Sequence, residues 1–341
     1  MIKFIPDYSL AESNSFHIQA RCLYYFEFSN PQELPMFLRA FKYDRRMWPV
    51  FILGGGCNVL FVSDFKGLVI HSAVRGVRKT AEDAAHVWLE VGAGEDWDTF
   101  VQYTIEHGYG GIENLSAIPG KVGAAPVQNI GAYGREAGQY VTSVNGFDID
   151  TSRFEEYSAP KCAFGYRTSI FKNRLADRFV INTVTFRLDK KPDFALDYKD
   201  VRQETDALGG PTLQNIRTAI IAIRRRKLPD ISTVGSAGSF FMNPTVSEEH
   251  AAQLRNKAPD IPLFRSGDKY KVAAAWLIEQ CGWKGFRDGD TGTHPSHALA
   301  LVNYGSATGA QIWELALKIQ RSVVERFNIH LQPEVEVIGL G

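Results

Sequence analysis

The stretch from Gly108 to Gly134, GYGGIENLSAIPGKVGAAPVQNIGAYG, constrains this chain more than any other. Seven of its 27 residues are glycine, and only Glu113 and Lys121 are charged. It carries no helical period and is too glycine-rich for a buried strand. A long surface connection is normally polar, because its backbone must meet water. This one is apolar, so its amides face something else. Glycine has no Cβ and lets a backbone close in on a flat or charged ligand. Two readings fit the stretch: the wall of a cofactor site, or a buried crossover between two sheets.

Charge narrows the function classes. Among 341 residues, Lys+Arg and Asp+Glu are 38 each, so the formal net charge is zero. That argues against a general nucleic-acid binder, which carries a basic field. The first 20 residues contain no apolar run, so no secretory signal is expected. Nothing approaches the ~18 continuous apolar residues of a membrane span. Cys22, Cys57, Cys162 and Cys281 are far apart and form no CxxC pair, so neither a metal clip nor a disulfide scaffold is expected. The expectation is a cytoplasmic protein with free thiols.

Periodicity gives the elements. Residues 21–29, 49–53, 59–62, 67–70 and 87–91 read as strands, as do stretches near 141–150, 154–158 and 179–188. Pro31 opens a helix to about Lys42. Trp97, Phe100, Val101, Thr104 and Ile105 share one face of a helix over 96–107 that stops at Gly108. Further helices are expected at 211–226, 247–256, 270–281 and 308–327, with strands at 298–302 and 331–338.

Four places carry possible chemistry. Gly54-Gly55-Gly56-Cys57-Asn58 lies between strands. Such a turn is suited to a diphosphate nest, although a plain β-turn also explains it. Neither a Walker loop nor a dinucleotide fingerprint follows. Arg167 sits in an apolar, aromatic, turn-like segment, where a guanidinium calls for a carboxylate partner, structural or functional. Arg224-Arg225-Arg226-Lys227 ends a helix; a solvated cap is favoured over a phosphate clamp. Ser239 lies among small residues before two phenylalanines, with no histidine–aspartate arrangement evident nearby and no GxSxG elbow. It is a poor hydrolase nucleophile but a usable proton donor if something feeds it.

Taken in order, ILGGGCNVLF, GIENLSAIPGKVGAAPVQNIGAYG, CAFGYRTSIFK, RRRKLPD, GSAGSFFMNP, AAWLIEQCGWKG, HALALVN and LQPEVEVIG resemble the UDP-N-acetylenolpyruvoylglucosamine reductase family. The resemblance covers the chain from near residue 14 to 339. Tyr198 in LDYKDV matches the substrate-covering tyrosine of one class of that family. The resemblance implies an α+β fold: a two-subdomain FAD-binding part of the vanillyl-alcohol-oxidase type and a C-terminal α/β substrate domain. It implies an FAD-binding domain over 1–228, with subdomains of about 1–70 and 71–228. A substrate domain over 229–330 would follow, and the strand at 331–341 would return to the flavin side.

The resemblance also implies a reaction. NADPH, as hydride donor, reduces a non-covalent FAD, and the hydride passes to the enolpyruvyl ether of UDP-N-acetylglucosamine, giving UDP-N-acetylmuramate for peptidoglycan. Arg167 and Glu334, the latter protonated, match the residues that stabilise the enolate, and Ser239 matches the proton donor. Gly54, Gly55, Gly56, Cys57 and Asn58 would cradle the FAD diphosphate. Asn114, Ser116, Ile118, Pro119, Gly120, Gly123, Ala124, Gln128, Asn129, Gly131 and Tyr133 would line the rest of the cofactor. Tyr166, Tyr198, Lys227, Asn243 and His297 would meet the substrate. No metal, nucleic acid or membrane partner is implied, and a monomer is expected. Cys57, Met242 and His297 depart from the usual serine, lysine and glutamine. The alternatives are an O2-using carbohydrate oxidase on the same scaffold and a nucleotide-sugar binder that has lost flavin.

Overall fold

The computed structural model describes residues 2–340 and resolves two compact units. Met1 and Gly341, at the outer limits of the expected domains, lie outside the described residues. Unit one comprises residues 1–8, 22–55 and 66–224; unit two comprises 9–21, 56–65 and 225–341.

The first unit opens with β1 (Lys3–Ser9), β2 (Arg21–Phe28), α1 (Glu33–Ala40) and β3 (Val50–Leu53). After β4 (Val59–Phe61), which belongs to the second unit, come β5 (Phe65–Ser72), β6 (Val77–Glu82), β7 (His86–Gly92) and α2 (Trp97–Glu106). The short strands β8 (Gly131–Ala132) and β9 (Arg135–Glu136) follow, then β10 (Val141–Asp148), β11 (Arg153–Ser158), β12 (Phe179–Asp189), α3 (Lys199–Ala207) and α4 (Leu213–Lys227).

Two sheets organise this unit. One has the order β1-β2-β5-β3, with β3 and β5 parallel. The other has the order β11-β10-β12-β7-β6 and is antiparallel throughout. Alternate residues of β7 and β12 point to one face, where Leu89, Val91, Val184 and Phe186 are buried. Helix α2 forms because Asp96 accepts from Thr99 N at 3.0 Å, and because Trp97, Phe100, Val101 and Ile105 recur at helical spacing. Those side chains join the sheet's core, with Trp97 5.9 Å from Phe186. Burying a large side chain contributes roughly 1.5–3 kcal/mol, so this face anchors the helix.

The second unit continues with β13 (Thr245–Val246), α5 (Glu248–Lys257), β14 (Leu263–Ser266), β15 (Lys269–Val272) and α6 (Ala274–Gln280). The chain then forms β16 (Arg287–Asp288), β17 (Thr291–His294), β18 (His297–Asn303), α7 (Gly309–Phe327) and β19 (Glu336–Ile338). Its sheets have the orders β13-β15-β14, β16-β17-β18 and β19-β4, the last pair parallel. Helix α7 starts in a capping box: Gln311 N donates to Thr308 Oγ1 at 3.3 Å, and Thr308 N donates to Gln311 Oε1 at 2.8 Å. It buries Ile312, Leu315, Ile319 and Val323 and ends at Asn328, whose φ of 53° is left-handed.

Several expected boundaries move. The helix expected over 270–281 is half strand: Val272 pairs with Leu263, Tyr270 with Arg265, and the helix begins only at Ala274. Alternation of Tyr270 and Val272 outweighs the helical spacing of Val272, Ala275 and Trp276. The helix expected from Pro31 starts at Glu33, and Lys42 has left-handed φ, 50°. The final strand is reduced to Glu336–Ile338, leaving Glu334 in the bend before it. The sequence reading gave no element at β1, β6, α3 or β14.

Candidate active site

The glycine-rich stretch is built from its own polar side chains. Ser116 Oγ donates to Glu113 O at 2.7 Å, and Asn114 Nδ2 donates to Tyr133 O at 2.8 Å and Ala195 O at 2.9 Å. Asn129 accepts from Gly138 N at 2.7 Å and donates to Glu136 at 2.8 Å and Gly165 O at 3.0 Å. Ile118 and Gly120 lie half-buried and Pro119 exposed at the turn, where Trp97 N donates to Gly120 O at 3.0 Å. Gln128 and Ala124 are also half-buried. Glu113 is wholly buried, and burial pushes its carboxyl above the usual carboxylate range although Gly111 N donates to it at 2.5 Å.

Close backbone approach explains the glycines. A Cβ on Gly54 would lie 2.9 Å from Ala124 Cβ, and one on Gly123 2.6 Å from Ala93 Cβ. The β3 turn thus packs directly on the glycine-rich stretch at Gly54, and that stretch packs on Ala93 at Gly123. Ser72 Oγ, Asn114 Oδ1 and Asn182 Oδ1 are among the buried side-chain atoms of this unit that have no hydrogen-bond partner. Asn182 O accepts from Ala93 N at 2.8 Å, and Ala93 O from Gly123 N at 2.9 Å, so Asn182 and Gly123 both border Ala93. An unpaired buried polar atom costs about 1–3 kcal/mol. A surface that combines orphaned polar atoms with crowded glycines fits a flat, polar cofactor such as FAD. Ser72 and Asn182 were invisible in the sequence, because nothing distinguishes them from other strand residues until the strands pair.

Arg167 stands at left-handed φ, 56°, and donates from Nη2 to Gly131 O at 2.8 Å. Its guanidinium lies 5.4 Å from the centre of the Tyr166 ring. The hairpin that carries both residues is therefore tied to the glycine-rich stretch at Gly131 and, through Asn129, at Gly165. Tyr198 is 53% exposed, and its ring packs edge-on at 5.8 Å against Tyr133.

The basic run at the end of α4 divides. Arg225, Arg226 and Lys227 are exposed, as a solvated cap requires. Arg224 is not: it turns inward, and its Nε donates to Ala117 O at 3.1 Å. Burial lowers its pKa from the usual arginine value, with Tyr133 and Asp98 opposing the shift. Two turns earlier on α4, Arg217 forms a bidentate pair with Asp98 at 2.6 and 2.9 Å, and Ala117 N donates to the same carboxylate at 2.6 Å.

The second unit holds most of its candidate residues in the turns and bridged segments beside its strands. Gly56 has φ 64°, and a Cβ there would meet Ser13 O at 1.9 Å. Cys57 and Asn58 follow, half-buried. Asn58 Nδ2 donates to Glu334 O at 3.0 Å, and Glu336 N donates to Asn58 O at 3.0 Å. Glu334 N donates to Phe240 O at 2.8 Å, and Phe241 bridges to Pro333. Ser239, far from Glu334 in sequence, is thus held one residue from its backbone partner. Ser239 itself bridges to Ala300, and its Oγ lies 3.4 Å from His297 Nε2. No histidine–aspartate arrangement is evident near this serine in the sequence; strand β18 brings a histidine to it. Asn243 Oδ1 accepts from Ala274 N at 2.9 Å, capping α6. Lys227 is the last residue of α4.

Comparison with known proteins follows the same division. Residues 230–338 match the model of the UDP-N-acetylenolpyruvoylglucosamine reductase C-terminal domain. Residues 23–151 match an FAD binding domain. A UDP-N-acetylenolpyruvoylglucosamine reductase of Amoebophilus asiaticus is 48% identical over 289 residues, covering 84% of this chain and 85% of the relative. The chain belongs to the UDP-N-acetylenolpyruvoylglucosamine reductase family. A relative in Chromobacterium violaceum is 42% identical, covering 98% of both chains. The fold is shared with the crystal structure of the Thermus caldophilus reductase: TM-score 0.68 at 23% identity, covering 99% of this chain and 98% of that one. The expected α+β fold class, an FAD-binding part followed by the family's C-terminal domain, therefore stands. Among the described residues, no helix is long and apolar enough to cross a membrane.

Proposed function

We infer that this chain is an FAD-dependent oxidoreductase that uses NADPH to reduce UDP-N-acetylenolpyruvoylglucosamine to UDP-N-acetylmuramate, a peptidoglycan precursor. The geometry that best supports the reading is the pairing of Glu334 N with Phe240 O at 2.8 Å. It brings an acidic segment alongside the one that carries Ser239.

When bound, the flavin supplies hydride transfer from NADPH to the substrate's double bond. That bond is conjugated to a carboxylate, so arrival of hydride at its terminal carbon places negative charge on the carboxylate. Arg167 meets that charge with a fixed cation, and Glu334 meets it with an acid proton. Ser239 gives its hydroxyl proton to the carbon bearing the ether oxygen. A serine hydroxyl is a weak acid, so its contribution is a proton placed in reach of a strongly basic carbon. Gly54 to Asn58 hold the cofactor's diphosphate, and the stretch from Asn114 to Tyr133 lines the remainder. Tyr198, Lys227 and Asn243 serve the substrate's diphosphate; a point cation and an amide donor suit that role. Tyr166 and His297 complete the substrate contacts. The FAD-binding part covers 1–228 with the final segment, and the substrate part covers 229–330.

An anaerobic titration tests the reading. Purified protein is yellow, NADPH bleaches it, and the enolpyruvyl substrate restores the colour in a one-to-one ratio. A protein that regains colour only with O2 is an oxidase, and a colourless one that takes up no FAD contradicts the assignment altogether.

A further inference from the structure

Ser239 is held in register rather than left on a loose loop. Gly235 exchanges both backbone hydrogen bonds with Asn303, at 2.9 and 2.7 Å. Ser236 Oγ donates to Leu301 O at 2.8 Å, and Phe240 N donates to Leu299 O at 2.8 Å. Segment 235–240 therefore runs antiparallel along β18, with Ser239 opposite Ala300. Phe240 and Phe241, at 0% and 1% exposure, pin its end. The first residue of β18 is His297, and its Nε2 reaches to 3.4 Å from Ser239 Oγ. His297 opens a strand and Ser239 is bridged to that strand at Ala300, so the contact is set by backbone pairing.

We propose that His297 is a positioning residue that holds the Ser239 hydroxyl and restores its proton after each transfer. The proposal rests on the reading of Ser239 as proton donor. That role leaves an alkoxide, which is too basic to persist in a half-buried site at neutral pH. Imidazole is the side chain that exchanges a proton between pH 5 and 8. The step balances. The electron pair of the substrate carbanion forms the new C–H bond as the Ser239 O–H bond breaks, leaving its pair on Oγ. The Nε2–H bond of imidazolium then breaks, its proton rejoins Oγ, and its electron pair stays on the ring. Solvent water reprotonates the neutral imidazole. A spacing of 3.4 Å is loose for such a pair; contacts of this kind commonly tighten only with substrate bound.

The surroundings of His297 bear on its titration. Its partner across the β17–β18 pair is His294, which burial holds below the usual histidine value. Glu334 lies on the segment bonded to Phe240. On the helices against β18, Glu279 of α6 is paired with Lys284 at 2.9 Å, and Glu314 of α7 with Lys318 at 3.1 Å.

The test separates the two half-reactions of the holoenzyme by stopped flow across pH. In the unaltered enzyme, reoxidation by the enolpyruvyl substrate should fall tenfold per pH unit above the imidazole pKa. His297→Gln, which keeps an amide against Ser239, should erase that pH limb. His297→Ala should slow reoxidation about 100-fold at low pH, within the range for general acid–base effects. Both variants should keep the yellow spectrum and melting temperature. The 15N titration of His297 should move in Ser239→Ala holoenzyme. A His297→Gln enzyme with the original pH limb would overturn the proposal, as would His297 variants that change only KM. If Ser239→Ala itself leaves reoxidation untouched, the donor reading fails first; if Ser239→Ala is slow and only the His297 arms fail, the donor reading survives alone.

Discussion

At the scale of single residues, geometry assigns different kinds of work to residues that look alike in the sequence. Gly54 and Gly123 are small because the Cβ atoms of Ala124 and Ala93 lie against them, whereas Gly56 is small because Ser13 O lies where its Cβ would go. Gly56→Ala combines that clash with a strained φ of 64°. It should cost about 1–3 kcal/mol, read as a lower urea midpoint with an unchanged slope. Arg167 is placed by a bond to Gly131 O, and in the reaction proposed above its charge meets the developing enolate. Arg167→Ala should slow reoxidation of the reduced enzyme by substrate by about 100–1,000-fold, roughly 3–4 kcal/mol. Equal loss in both half-reactions would point to misfolding instead. Residues such as Ser239, Glu334 and Arg167 became readable from their motifs, not from any period. The contact between Ser239 and His297 was not readable, because it depends on how segment 235–240 pairs with β18.

At the scale of elements, caps and alternation decided what the sequence disclosed. Helices α2 and α7 were legible because Asp96 and Thr308 mark their starts and apolar residues recur on one face. Strand β1 was not, because nearly all its residues are exposed and no alternation is selected at a sheet edge. Strand β15 was hidden by neighbouring residues that also satisfy a helical period. The pairing of α4 to α2 was equally hidden, since an arginine–aspartate pair 119 positions apart has no sequence signature. That pair ties down the glycine-rich stretch at Ala117. Burial pushes the Asp98 carboxyl up, but the Arg217 guanidinium and Ala117 N–H outweigh it, so its pKa falls below 3.8. A lowered folded-state pKa gives stability that is present above the unfolded value and is lost as pH falls through the folded one. Arg217→Met should therefore destabilise the protein by about 2–4 kcal/mol at pH 7, discounted for the partly exposed carboxylate. The penalty should shrink in thermal melts as pH falls through the lowered folded-state pKa of Asp98, where the unaltered protein loses the same pair.

At the scale of the whole molecule, two units are assembled from interleaved segments, and this is the part of the fold least visible in the sequence. Residues 9–21 and 56–65 belong to the same unit as the C-terminal 225–341. Strand β19 lies parallel to β4, placing the last strand beside residues 59–61. Such long-range pairing carries no local pattern. Ser72, Asn114 and Asn182 leave buried polar atoms unpaired, so binding of FAD should stabilise the native state. At 100 times its dissociation constant, FAD should add about 2.7 kcal/mol relative to the stripped protein. A calorimetric melt of stripped protein with and without FAD measures this directly, and an unchanged melting temperature would contradict the cofactor reading.

The central claim is that Ser239 supplies the proton in the second half-reaction and nothing in the first. Rapid mixing of Ser239→Ala holoenzyme, first with NADPH and then with the enolpyruvyl substrate under anaerobic conditions, tests it most directly. Flavin bleaching by NADPH should proceed near the unaltered rate, while recovery of colour slows by orders of magnitude. Equal slowing of both steps, or recovery at the unaltered rate, would contradict the account.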